Sequence, residues 1–478
     1  MTLLWTTDSM AAAMHADTAG RLPAGIAGIS IDTRTIAPGE AFFAIQGENR
    51  DGHDFVEAAL AAGAGLAVVA RDKRARFAND APLLAVDNVL DALRDLARAA
   101  RARLSAKVIA VTGSVGKTGT KEALRLALSA SGATHASAAS YNNHWGVPLS
   151  LARCPADSKF AVFEIGMNHA GEITPLTRLA RPHVAIVTTI EAVHLEYFGS
   201  LEKIADAKAE IFLGVEPGGA AVLNRDNAQY DRVAAAAKAA GVARVVSFGE
   251  HAEAEARLTR LRLEPEYSTV DAEILGAPLS FTVGAPGRHL ALNSLAVLAA
   301  ASLAGADLRR AAEALANWQP PAGRGARITL ALPKGEALLI DESYNANPAS
   351  MRAALALLGQ ARIGAEGRRI AVLGDMLELG AEGARLHAEL ADAIGAAGIE
   401  LVYCSGPQMR ALWEALPLPR RGGYAESAAI LEPAVLDAVR AGDAVMVKGS
   451  FGSKMGPIVK ALERRFPRHT AASQAAKV

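Results

Sequence analysis

The segment Val111-Thr112-Gly113-Ser114-Val115-Gly116-Lys117-Thr118 follows an apolar run at residues 108–111 and opens a helical stretch from Thr118. Two glycines with a lysine and a hydroxyl at this spacing suit phosphate chemistry. Glycines let the backbone wrap an anion without Cβ clashes, and a helix N-terminus aims its amides at it. Lys117 is then placed to hold the β- and γ-phosphates, and the Thr118 hydroxyl to ligate Mg²⁺. The plainer reading is a glycine-rich turn with a surface lysine. The agreement of strand, loop, Lys-Thr and helix argues against it.

A second acid stands at the right kind of place. Glu164, in Ala161-Val162-Phe163-Glu164-Ile165-Gly166-Met167-Asn168, closes an apolar strand. In a parallel sheet the carboxyl ends of strands line the ligand crevice, so Glu164 is placed to hold a metal near the phosphates. His194 follows the apolar run 184–188. An imidazole can ligate a metal, but Mg²⁺ prefers oxygen, and spacing alone does not single His194 out. Lys208, in Ala207-Lys208-Ala209-Glu210-Ile211, reads as a solvated helix face unless CO₂ addition turns its amine into a carboxylate-like ligand. Asp341, Asp375 and Lys448 each follow an apolar strand. Polar residues at the same end of neighbouring strands converge on one crevice.

These side chains need strands to hold them, and the sequence supplies three blocks: residues 1–103, 104–320 and 321–478. The first has short apolar runs at 28–31, 41–45, 66–70 and 83–86, then an amphipathic helix over 91–104 that leads into the second. The second alternates strands (108–111, 160–165, 184–188, 220–223) with helices (173–179, 201–212). That alternation implies an α/β fold with a parallel sheet covered on both faces. Residues 254–283 alternate like antiparallel strands, and the alanine-rich 290–306 reads as a buried helix. A Pro-Pro and glycine-rich linker spans 319–325. Strand candidates resume at 337–341, 369–373, 401–404 and 444–447.

Composition narrows the function classes. Lys+Arg and Asp+Glu are 50 each, so the formal net charge is +0 and nucleic acid is not expected as a partner. The 2 cysteines, Cys154 and Cys404, lie far apart and form no zinc motif. No signal peptide or spanning helix is readable, so no membrane insertion is expected and a cytoplasmic location is. No long exposed apolar pattern demands a partner, so a monomer is expected.

Taken together, these segments resemble the Mur ligases, ATP-dependent enzymes that add amino acids or a dipeptide during peptidoglycan synthesis. The short GxxGKT loop led by Thr112 is typical of that family and of folylpolyglutamate synthases. Further resemblance lies in Tyr141-Asn142-Asn143 with Gly146-Val147-Pro148-Leu149, and in Glu164-Ile165-Gly166-Met167-Asn168-His169. It continues in His194-Leu195-Glu196 with Phe198-Gly199-Ser200, in Tyr344-Asn345-Ala346-Asn347-Pro348, and in Leu373-Gly374-Asp375-Met376 with Glu378-Leu379-Gly380. The first block agrees: Asp32-Thr33-Arg34, Pro38-Gly39 and Gly47 through Asp51-Gly52-His53-Asp54-Phe55 resemble the uridine-nucleotide domain of the diamino-acid and dipeptide adding members. The pattern resembles most the dipeptide adders.

The resemblance implies three domains: a smaller α/β N-terminal domain for the UDP-sugar, a central P-loop-type ATPase domain with a parallel sheet, and a C-terminal Rossmann-like domain for the dipeptide and part of ATP. The implied cofactors are ATP and Mg²⁺, and the implied substrates are UDP-N-acetylmuramoyl-tripeptide and D-alanyl-D-alanine. Thr112, Gly113, Ser114, Val115, Gly116, Lys117, Thr118 and Gly119 would cradle ATP. Thr118, Glu164 and His194 would ligate metal, and Lys208 matches a lysine that is carbamylated in several relatives. Asn293 would lie on the adenine side, where the asparagine usual after His289 is Leu290 here. Arg324 would reach the nucleotide after closure, and Asp341 would face the ribose. Thr33, Arg34, Gly47, Asp51, His53, Asn142, Asn143, Tyr344, Asn345, Asp375 and Lys448 would contact substrates.

The alternatives differ in what they need. A folylpolyglutamate synthase should begin near its phosphate loop, whereas a whole domain's length precedes it here. A diamino-acid adder should carry a DNPR-like motif in the third block, and none is present. A non-catalytic nucleotide switch should have lost Lys117, Glu164 or His194, and all three are present.

Overall fold

A computed structural model describes residues 3–138, 140–193 and 195–467, so His194 lies outside the described residues. The fold is α/β, built on three large sheets. Each draws its strands from one stretch of chain. The five-stranded sheet uses strands between Asp17 and Val86, the nine-stranded sheet between Lys107 and Val283, and the six-stranded sheet between Ala326 and Lys448. A helix over Val89–Arg103 joins the first two: Leu93, Leu96 and Ala100 pack into the N-terminal core and Ala97 into the central one.

The central sheet is parallel through its middle. Lys107–Thr112 pairs with Phe160–Glu164 on one side and Val184–Val187 on the other. These strands are apolar runs buried on both faces, as a covered parallel sheet requires. Helices Lys117–Ser129 and Arg288–Leu303 cover one face; Gly146–Ala152, Ile173–Ala180 and Leu201–Ala209 cover the other. The strands Ala256–Leu263, Ser268–Ile274 and Ala277–Val283 extend the sheet as an antiparallel meander. Because the chain leaves Lys107–Thr112 toward both sides, its carboxyl end is a topological switch point, where a ligand crevice opens.

The six-stranded sheet is parallel from Gly335–Glu342 through Ala444–Lys448, Arg369–Gly374 and Leu401–Ser405 to Arg421–Ala425, with Ala326–Leu332 antiparallel at one edge. Among the described residues, no helix is long and apolar enough to cross a membrane.

Candidate active site

The loop after Lys107–Thr112 is shaped by two glycines that nothing larger could replace. Gly113 has φ +142° and Gly116 φ +87°. A Cβ on Gly113 would stand 2.0 Å from Thr188 Oγ1, and one on Gly116 would stand 2.7 Å from Asn293 Nδ2. Ser114 Oγ donates to Glu191 O at 3.1 Å and accepts from Glu191 N at 2.9 Å, while Thr188 Oγ1 donates to Val115 O at 2.5 Å. The loop is therefore tied to the chain beyond Val184–Val187. Lys117 opens the helix, and its Nζ donates to Gly113 O at 2.7 Å and Ser114 O at 3.3 Å. Burial pushes the Lys117 ammonium down to about 8; Glu164 opposes that fall and Arg324 adds to it.

Glu164 ends its strand at 1% exposure, with both oxygens engaged. Thr118 Oγ1 donates to its Oε2 at 2.8 Å and Asn142 Nδ2 to its Oε1 at 2.7 Å. The strand end, the helix start and the Asn142 loop thus meet at one carboxylate. Lys208 is buried in the helix Leu201–Ala209, with no hydrogen bond or ion pair to a described residue. Burial, and then the charge of Lys117, hold its amine well below the ordinary lysine range.

The third sheet brings the opposite wall. Glu342 and Lys448 are register partners at the carboxyl ends of their strands. Lys448 Nζ donates to Glu342 Oε2 at 3.1 Å and to Asn345 O at 2.9 Å. Arg324 spans the two sides: its Nη2 donates to Ser140 Oγ at 3.0 Å, and its guanidinium lies 4.2 Å from the Tyr344 ring centroid. Between the walls lies a cavity of about 490 Å³, whose lining includes Lys117, Glu164, Asn142, Asn293, Arg324 and Lys448. Ser114, Val115, Gly116, Gly119, Tyr344 and Asn345 complete the expected residues on its walls.

Three expected residues turn elsewhere. Asp341 accepts from Gly323 N at 2.8 Å and from Ser343 N and Oγ at 3.1 and 2.6 Å, so it braces the linker and is not on the cleft wall. Asp375 accepts from Met409 N at 2.8 Å, and burial pushes its carboxyl up. A buried carboxylate is drawn to unpaired backbone amides, and in both loops such amides lie within reach on neighbouring segments. Asn143 likewise uses Oδ1 to accept from Gly146 N at 2.9 Å, at the start of a helix.

The N-terminal candidates sit away from the cleft walls. His53 is 3% exposed. Its Nε2 accepts from Ala70 N at 2.9 Å, so its Nδ1 carries the proton shared with Asp51 at 2.6 Å. Asp51 also pairs with Lys73 at 2.6 Å. Gly47 N donates to Arg50 O at 2.9 Å, closing the neighbouring turn. Arg34 pairs with Asp32 at 2.6 Å beside Thr33, with its side chain 85% exposed.

Several cleft residues escaped the sequence analysis, and three of them show what signal could have found them. Glu342 is visible only through its register with Lys448. Ser140 is visible only through Arg324. Asn347, before Pro348, has the sequence signal of a helix N-cap, and its Oδ1 does accept from Ser350 N at 2.9 Å. Its Nδ2 is buried on the cleft wall with no hydrogen-bond partner among the described residues.

Comparison with known proteins agrees along the chain. Residues 25–101 match the model for the Mur ligase family, catalytic domain, residues 111–301 the Mur ligase middle domain, and residues 326–451 the Mur ligase, glutamate ligase domain. The UDP-N-acetylmuramoyl-tripeptide–D-alanyl-D-alanine ligase of Rickettsia prowazekii is 34% identical over 431 residues, covering 90% of this chain and 94% of its own. That of Escherichia coli is 36% identical over 437 residues, covering 91% and 93%. Among solved structures, MurF from Acinetobacter baumannii superposes with a TM-score of 0.80 at 29% identity, covering 96% of this chain and 99% of that one. MurF ligase from Thermotoga maritima in complex with ADP gives 0.73 at 25% identity, covering 92% and 98%. The chain belongs to the Mur ligase family.

Proposed function

We propose that this chain is an ATP-dependent ligase that joins D-alanyl-D-alanine to the terminal carboxylate of UDP-N-acetylmuramoyl-tripeptide, releasing ADP and phosphate, and acts as a cytoplasmic monomer. The observation that carries the reading is the single cleft lined by the phosphate loop and Glu164 on one side and by Asn345 and Lys448 on the other. The relatives named for this reaction support it over about nine-tenths of the chain. In this reading residues 1–103 bind the UDP-sugar, 104–320 bind ATP, and 321–478 bind the dipeptide and part of the nucleotide. That strand pairing stays within each stretch supports the division.

The residues around Glu164 fit Mg²⁺. A buried carboxylate and the Thr118 hydroxyl are hard oxygen donors, and Mg²⁺ commonly takes one or two carboxylates and completes its shell with water and substrate phosphates. When bound, the ion offsets the negative charge crowded between ATP and the incoming carboxylate. Lys117 does the same from the loop. The substrate carboxylate oxygen then bonds to the γ-phosphorus as the bond to ADP breaks, giving an acyl phosphate. The dipeptide amine attacks the acyl carbon, loses a proton, and phosphate leaves. The Arg324–Ser140 bond bridges the two walls and favours the closed cleft, which keeps water from the acyl phosphate.

Lys208 enters as a modified residue. Burial, with no counter-ion among the described residues, shifts the Lys208 amine toward its neutral form, and a neutral amine adds CO₂ to give a carbamate and one proton. Protein equilibrated with carbon-13 bicarbonate is expected to show a lysine carbamate resonance that Lys208→Met lacks, with kcat in that variant lowered about ten- to hundredfold. Full activity in a sample without the resonance would remove the carbamate from this mechanism.

The function itself is tested by phosphate release with ATP and Mg²⁺, omitting each substrate in turn. Release is expected only with both, together with a UDP-muramoyl-pentapeptide identified by mass. Release that needs the sugar nucleotide and ignores the dipeptide would keep the ligase class and sink the acceptor.

A further inference from the structure

Trp318 stands where the chain leaves the central sheet for the linker, and it is 5% exposed. Its indole N–H has no hydrogen-bond partner among the described residues. A buried indole N–H usually finds an acceptor, so a bare one asks what completes it. The Thr120 hydroxyl, 1% exposed, is bare as well.

Both belong to one place. Trp318, Gly119, Leu290 and Asn293 line the end of the 490 Å³ cleft nearest the phosphate loop's helix. Behind the same four residues the space continues into a small chamber, where Thr120 joins the lining. Gly119 leaves this region open: a Cβ there would rest 3.7 Å from Trp318 Cζ2, on the side of the indole that carries the N–H. Asn293 reaches the loop itself, close to Gly116. Leu290 and Leu292 supply apolar wall and no hydrogen bond.

A purine is flat, apolar on its faces, and carries ring-nitrogen acceptors on its edge. This end of the cleft offers apolar walls and the unmet indole N–H, with the unmet Thr120 hydroxyl in the chamber behind, next to the loop that would hold the phosphates. We propose that Trp318 reads the base of the nucleotide, its Nε1–H donating to a ring nitrogen of adenine. The assignment rests on the ATP reading above.

Initial rates with ATP and its 1-deaza, 3-deaza and 7-deaza analogues, each lacking one ring nitrogen, test it in the full-length protein and in Trp318→Phe. The wild type is expected to show a KM about tenfold higher for one analogue. Trp318→Phe is expected to raise the KM for ATP by about the same factor with kcat unchanged, and to stop distinguishing that analogue. A merely structural role for the indole would leave the discrimination in place. Equal KM values for ATP and all three analogues in the wild type, or discrimination that survives in Trp318→Phe, overturn the assignment alone. No turnover with any adenine nucleotide overturns the ATP reading and the assignment with it. Should Trp318→Phe fail to fold, Trp318→Met gives the same comparison.

Discussion

Lys117→Met is expected to leave a folded protein whose ligation is slower by a factor of at least about 10³. Methionine nearly matches the lysine stem, and the bonds lost are only those to Gly113 O and Ser114 O of the same loop. Stability should therefore change by less than about 1 kcal/mol in denaturant unfolding. Rate depends instead on the charge. Two anions, the γ-phosphate and a carboxylate, must meet, and Lys117 is the cation that the loop itself supplies.

The same residue sets a pH dependence whose sign can be worked out. Burial lowers the Lys117 ammonium to about 8, so it is charged below that pH and neutral above it. Phosphates favour the charged form, so kcat/KM for ATP, which reports the free enzyme, falls as pH rises through about 8. Once bound, the phosphates raise the ammonium again, and kcat stays level to higher pH. Phosphate release measured across this range should show that alkaline limb in wild type and lose it in Lys117→Met. A variant with more than about a tenth of wild-type activity, or a wild-type profile flat through this range, would contradict the role.

What was legible in the sequence is what short-range physics controls. The phosphate loop could be read because its demand is local: Gly113 and Gly116 hold φ of +142° and +87°, a backbone region that favours glycine. Glu164 could be read because an apolar run fixes where its strand ends, and parallel pairing puts that end on the crevice. Asp341 and Asp375 stand at strand ends too, yet their carboxylates are captured by the amides of Gly323 and Met409, which only the folded chain brings near. Glu342 is informative only beside Lys448, a long-range register that no local pattern carries. The edge strands Ala326–Leu332 and Arg421–Ala425 escaped for a related reason. The first adjoins the linker, and the second, Arg-Gly-Gly-Tyr-Ala, has no apolar run because an edge needs none.

Glu164→Gln separates the metal reading from a structural one. Glutamine keeps the shape, and its carbonyl oxygen can still accept from Thr118 Oγ1. Its amide would then face Asn142 Nδ2, donor against donor, until the Asn142 side-chain amide rotates to present its oxygen. That rotation is cheap, so the variant should fold and unfold like the wild type. The lost negative charge leaves the Thr118 hydroxyl without a carboxylate beside it, and it removes the charge that holds the Lys117 ammonium up. Thr118 and the phosphate oxygens would then have to hold the metal with less charge behind them. The expected outcome is a fall in kcat of about 10²- to 10³-fold at moderate Mg²⁺, with the half-saturating Mg²⁺ concentration raised at least about tenfold. High Mg²⁺ should recover part of the loss, because occupancy is restored before geometry is. If Glu164 only braced Thr118 and Asn142, glutamine would keep both bonds, and the kcat and Mg²⁺ titration of the variant would overlay the wild type. The Mg²⁺ titration therefore moves under the metal reading and stays put under the bracing one, while an unchanged melting temperature shows that the fold is intact in both.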